Sequence, residues 1–119
     1  MRRLAAVLLL GSPCFAGDAT AAETVRIAGI GASSCTQFNR EIFQNPAAER
    51  DFFAWAQGFM SGALIRAPHG VDDDVDLLPQ SFPLHRQADF LRSYCSDNPN
   101  QDYMDAVRAL YHRLRGSAA

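Results

Sequence analysis

Three observations predict an all-α fold. Apolar residues recur at every third or fourth position over three long stretches. The pairs Asn45-Pro46 and Asn98-Pro99 stand where two of those stretches open, as suits helix starts. Strand-like alternation is confined to Val25 and Ile27. The expected architecture is a small bundle of three main helices plus a short first helix, stapled by one disulfide. At 119 residues and 13.0 kDa the chain has room for one such domain and no second core. Residues 1–22 read as a signal peptide, 23–33 as a flexible N-terminal arm and 34–119 as a single helical domain.

The signal reading rests on the two charges of Arg2 and Arg3, the apolar run Leu4 to Leu10, and the small residues that follow as far as Ala22. Seven apolar residues cannot hold a helix across a bilayer, which takes about 20. Cleavage is placed in the Ala21/Ala22 region, with Ala16 as the other small-residue site. A lipoprotein reading through Cys14 is a poor match because Pro13 precedes it. Removing 22 residues from 119 leaves 97, with nine Arg against twelve acids and a net charge of −3. It also removes Cys14, so Cys35 and Cys95 remain as an even pair in a chain bound for an oxidising compartment. Their bridge is expected to stabilise the fold by roughly 4 kcal/mol on the chain-entropy model.

From Glu23 to Ser34 the chain is rich in Gly, Ala and Ser and reads as a flexible arm or one edge strand. Ser34 and Gln37 have capping-box spacing and start the short helix through Cys35, Phe38 and Ile42, which stops before Asn45-Pro46. The next helix is expected from Pro46 to Ala67, capped by Asn45, with Glu49 and Asp51 at its positive end and Arg66 at its negative end. Phe52, Trp55, Phe59 and Ala63 form its apolar stripe, widened by Ala56, Met60 and Leu64. Ala54, Gly58 and Gly62 form a separate ridge. Each interior Gly costs a helix about 1 kcal/mol, so Gly58 and Gly62 are expected to admit a close neighbouring backbone. The apolar run is too short, and too interrupted by Gln57 and Ser61, to be a membrane span.

Pro68 to Gln80 reads as a loop carrying Asp72, Asp73, Asp74 and Asp76. Its acids alternate as the first ligands of a calcium loop do. Leu77 and Pro83, however, fall where that loop needs Gly and a bidentate acid. What remains is a solvated acidic loop, with these four aspartates as the candidate partner-binding patch. Ser81 and Pro83 open the third helix, with Leu84, Ala88, Leu91 and Cys95 on its apolar face and Arg86, Asp89 and Arg92 polar. Asn98-Pro99 opens the last, with the stripe Tyr103, Val107, Leu110 and Leu114 and a stop at Gly116.

The inventory for chemistry is thin. A net charge of −2 and a pI near 5.8 give no reason to expect binding to nucleic acid or anionic membranes, and every one of the 11 basic residues is Arg. His69, His85 and His112 are scattered. Only His85 with Asp89 one turn later has the spacing of a base and its orienter, and a surface pair has the same spacing. Neither a phosphate-cradling Gly loop, a Gly-x-Ser-x-Gly elbow nor a His-Glu-x-x-His pair occurs. No catalytic residue, cofactor site or metal site is expected.

Two groups of small periplasmic proteins are similar in pattern. Ser34-Cys35-Thr36-Gln37-Phe38, the single cysteine pair and the charged last helix resemble the HdeA-like acid-stress chaperones. Trp55-Ala56-Gln57-Gly58-Phe59-Met60-Ser61-Gly62, Phe90-Leu91-Arg92-Ser93-Tyr94-Cys95 with Asn98-Pro99, and Ala106-Val107-Arg108-Ala109-Leu110 resemble the Tai-type immunity proteins of type VI secretion. Together these stretches cover most of residues 34–115, although the immunity proteins often carry more cysteines and the loop from Pro68 to Gln80 matches neither group. The resemblance implies a helical periplasmic protein that binds another protein, either a toxin or an unfolded client. For the client-binding alternative, acid supplies a mechanism. Around pH 2–3 most of the twelve carboxylates protonate, and the charge rises from −3 towards about +12.

Overall fold

A computed structural model describes residues 26–116, and the expected signal peptide lies outside them. Four helices carry the fold: α1 (Cys35–Gln44), α2 (Glu49–Arg66), α3 (Leu84–Asp97) and α4 (Tyr103–Gly116). Short 3-10 turns at Ile30–Ala32 and Pro46–Ala48 precede α1 and α2. Among the described residues no strand forms, and one isolated bridge pairs Ser34 with Asp102. The helical bundle and its Cys35–Cys95 disulfide are as expected from the sequence.

The core is built around three rings from three helices. Phe38 of α1, Phe52 of α2 and Tyr103 of α4 meet with centroids 4.8 to 5.1 Å apart, each ring fully buried. Such a trio holds more than its buried area alone, since its two edge-to-face pairs, Phe38–Phe52 and Phe52–Tyr103, add about 0.5–1.5 kcal/mol each. The Tyr103 hydroxyl donates to the Phe52 carbonyl at 2.8 Å, which satisfies the one polar atom this packing would strand. Burial, with the Glu49 carboxylate second, pushes the Tyr103 phenol well above its ordinary value. Ala56, Met60, Leu91, Val107, Leu110 and Leu114 extend the core from that trio.

The disulfide sits where the backbone already joins the elements. Cys35 N–H donates to the Gln101 carbonyl at 2.8 Å and Tyr103 N–H to the Ser33 carbonyl at 2.9 Å. Thr36 Oγ1 donates to the Pro99 carbonyl, and Asn39 Nδ2 to that of Cys95. The start of α1 is thus clasped to the α3–α4 turn, and the bridge between two fully buried sulfurs, 60 residues apart in sequence, locks it there.

Five local expectations are corrected. The arm over 26–33 is packed where it nears α1: Ser33 is buried, and Gly31 lies buried beneath the Trp55 ring, where a Cβ would overlap the indole. The second helix begins three residues late, because Pro46–Ala48 winds as a 3-10 turn and the Asn45 side chain makes no cap bond. Asn45 instead closes α1 through its backbone, donating to the Glu41 carbonyl. Gly58 and Gly62 meet nothing: a Cβ at either would have no neighbour within 4 Å, so the small-residue ridge faces solvent. On α3 the inner position expected of Leu84 belongs to Gln87, whose amide Nε2 donates to the Leu77 and Phe82 carbonyls. That exchange lets a polar residue fill the core by tying down the preceding loop. Finally α4 opens at Tyr103, with the Asp105 carboxylate accepting from Asp102 N–H. Asn98 ends α3 instead, its side chain donating to the Tyr94 carbonyl.

Candidate protein-docking surface

One ion pair organises the surface between α1, α2 and α3. Glu49, the first residue of α2, receives two hydrogen bonds from Arg92 Nη1 of α3, at 2.6 and 2.9 Å. Arg92 Nη2 also holds Asp89 one turn back. The hydrogen bond that Arg92 donates to Glu49 raises its guanidinium above the ordinary value, against a smaller desolvation effect. The pair fastens α2 to α3, with the one guanidinium shared between the Glu49 and Asp89 carboxylates.

A shallow groove lies on either side of that pair. One, of 440 Å³, is lined by Ile42 and Phe43 of α1 together with Asn39, Glu49, Arg92 and Ser96. The other, of 350 Å³, lies between the starts of two helices: Pro46, Glu49, Arg50 and Phe53 from the α2 side, Leu84, His85 and Ala88 from α3. Phe43 is 88% exposed and Leu84 39% exposed. Large apolar side chains left in water beside a cleft mark contact surfaces when they cluster. Ile65, Val71 and Leu78 are also exposed, on the end of α2 and in the following loop.

The residues singled out in the sequence are distributed differently. Trp55 and Phe59 stack at 5.7 Å and 9° on the outer edge of the core, half-buried, with Trp55 covering Gly31. The aspartates do not form one open patch. Asp72 turns inward at φ 62°, accepting from the Tyr111 hydroxyl at 2.8 Å and from Arg115 Nε at 2.6 Å, and pins the loop to α4. Asp73 accepts from Gly70 N–H and Asp76 from Leu78 N–H, as turn-forming acids do. Asp73, Asp74 and Asp76 all remain exposed. The loop is solvated, as expected, at three of its four aspartates and anchored at the fourth, because Asp72 at a left-handed position can reach back to a helix that carries Tyr111 and Arg115.

For His85, the expected partner is engaged elsewhere: the Asp89 carboxylate bonds Arg92, while His85 edges the second groove. His69, His85 and His112 are exposed on a loop, α3 and α4 respectively. Among the described residues no three His, Cys, Asp or Glu side chains gather as metal ligands, and no helix is long and apolar enough to cross a membrane.

Sequence reasoning missed the groove pair. Phe43 carried the available signal, since it is a large apolar residue one position off the Cys35, Phe38, Ile42 stripe of α1. Leu84 was hidden by a helical spacing that fits the core face but begins one turn too early to reach it. No protein-family model, curated protein or solved structure matches the chain.

Proposed function

We propose that this is a non-enzymatic protein that acts outside the cytoplasm by binding another protein, in the manner of an immunity protein that seats on a toxin. The observation that supports this most is the exposure of Phe43 and Leu84 beside two grooves that share Glu49. An apolar floor with a polar rim is the ordinary composition of a protein interface. The buried Cys35–Cys95 bridge supports an oxidising compartment, since such bonds persist there and are rare in the cytosol. A disulfide-locked bundle also suits a binder whose surface must be held ready, because a preorganised surface loses little entropy on docking.

The test is purification of the tagged mature chain from the periplasm of its own source. A partner in stoichiometric amount that survives a salt wash is the expected result. Repeated recovery of the chain alone contradicts the proposal.

A further inference from the structure

A third cleft, of 190 Å³, opens between α2, α3 and the acidic loop, apart from the two grooves beside Glu49. Its rim is Ser61 of α2 and Leu78 of the loop, both exposed. Gln57 and Leu77 form half-buried walls, and the fully buried Met60 and Gln87 close it at the bottom.

The polar part of that floor is only half engaged. Gln87 Nε2 donates to the Leu77 and Phe82 carbonyls, which fixes the orientation of the amide, because its oxygen could not stand between two acceptors. Oε1 therefore lies on the other arm, buried, and no protein group donates to it. Buried side-chain acceptors are normally met by a donor, and an N–H or O–H brought to one that lacks it removes a standing cost. No other buried side-chain nitrogen or oxygen among the described residues is left in this position.

The lining also selects by charge and size. No ionisable side chain belongs to it, so an ion entering would lose water without gaining a counter-charge. An uncharged molecule can lay an apolar body against Met60, Leu77 and Leu78, and polar atoms near Gln57 and Ser61. An apolar cavity of about 150 Å³ accepts benzene, so 190 Å³ has room for one ring with a small substituent.

We infer that this cleft is a binding site for a small uncharged molecule about the size of one substituted ring, held by an N–H or O–H donated to Gln87 Oε1. The donor reaches Oε1 past Leu78, whose side chain is 64% exposed and can turn aside without leaving the core. The site does not depend on the protein-binding role proposed above, and loss of either leaves the other standing.

NMR titration of the isotope-labelled, disulfide-bonded chain tests this with benzamide as the probe. Acetophenone and benzoate have nearly the same shape, and carry a methyl group or a charged oxygen in place of the amide NH2. Benzamide is expected to shift the Gln87 side-chain amide and the backbone amides of Gln57, Ser61 and Leu78, and the other two should bind about tenfold more weakly. Ser61→Phe is an exposed change that narrows the rim and should weaken benzamide about tenfold, with circular dichroism checking its fold. Gln87→Met removes the acceptor and should abolish the preference for benzamide over acetophenone. Where that variant does not fold, the shift of the Gln87 side-chain amide in the parent chain decides the point. No shift at any soluble concentration, shifts confined to the surroundings of Phe43 or Leu84, equal binding of benzamide and acetophenone by the parent chain, or unchanged binding by Ser61→Phe overturns the inference.

Discussion

Replacing single glycines by alanine should move stability in opposite directions at positions that look alike in the sequence. Gly58 and Gly62 lie in the interior of α2, and an added Cβ at either meets no atom within 4 Å. Alanine there stiffens the unfolded chain and improves helix propensity at no steric cost, which is worth about 0.8–1 kcal/mol per site. The two sites share no packing partner, so the double variant should gain about 2 kcal/mol and melt roughly 10 °C higher. Gly31 is the reverse case. Its Cβ would overlap the Trp55 indole, and that ring cannot swing aside without leaving its stack on Phe59. Overpacking of this kind costs about 1–3 kcal/mol, and some of the Tyr103 contact with Trp55 would go with it. Urea unfolding followed by circular dichroism reads all three changes on one scale. If Gly58→Ala or Gly62→Ala destabilises by 1 kcal/mol or more, the ridge is covered by a neighbouring element and the packing of α2 described above is wrong. A neutral Gly31→Ala would show equally that the segment before α1 does not lie under Trp55.

Other perturbations follow from individual contacts. Replacing Cys35 and Cys95 together by Ala should lower stability by about 4 kcal/mol, measured by denaturant unfolding against the oxidised chain, because the bridge closes a loop 60 residues long. Asp72→Ala should cost about 1–2 kcal/mol, since Arg115 is half-exposed and its bond is partly screened, and limited proteolysis should speed up within Pro68 to Gln80. Tyr103→Phe removes the second donor to the Phe52 carbonyl, which keeps its helical bond from Ala56 N–H, and should cost about 0.5–1.5 kcal/mol. Folding raises the Tyr103 phenol above its ordinary value of 10.0, chiefly by burial. The stability it contributes is therefore complete below that pH and falls as pH rises past it, as for Tyr111, which burial and Asp72 also raise. Unfolding midpoints measured from pH 8 to pH 11 should show this decline in the parent chain and a shallower one in Tyr103→Phe.

The helices were legible because each rests on a local signal of apolar spacing, and the disulfide because setting the expected signal segment aside leaves Cys35 and Cys95 as an even pair. Ends and partners were less so. Asn45-Pro46 and Asn98-Pro99 look identical as helix starts, yet Asn45 ends α1 and Asn98 ends α3 in the structure. An Asn that can cap forward can equally close the helix behind it, and tertiary packing makes the choice. Gln87 was hidden for a related reason: a polar residue earns a core position only through carbonyls supplied by another segment, here Leu77 and Phe82. Asp72 shows the same at the surface, where composition suggests solvent but Tyr111 and Arg115 arrive from α4. The two grooves were invisible since they exist only where α1, α2 and α3 converge, and Glu49 and Arg92 are 43 residues apart.

Amide hydrogen exchange of residues 23–119, free and with a partner recovered by the purification proposed above, addresses the proposed binding role most directly. The first amides of α3 have no helical acceptor and should exchange quickly in the free chain. Bound partner should slow exchange over residues 47–53 and 84–88. Unchanged exchange there, with slowing confined to residues 54–65 or to the acidic loop, would contradict the assignment of the docking surface.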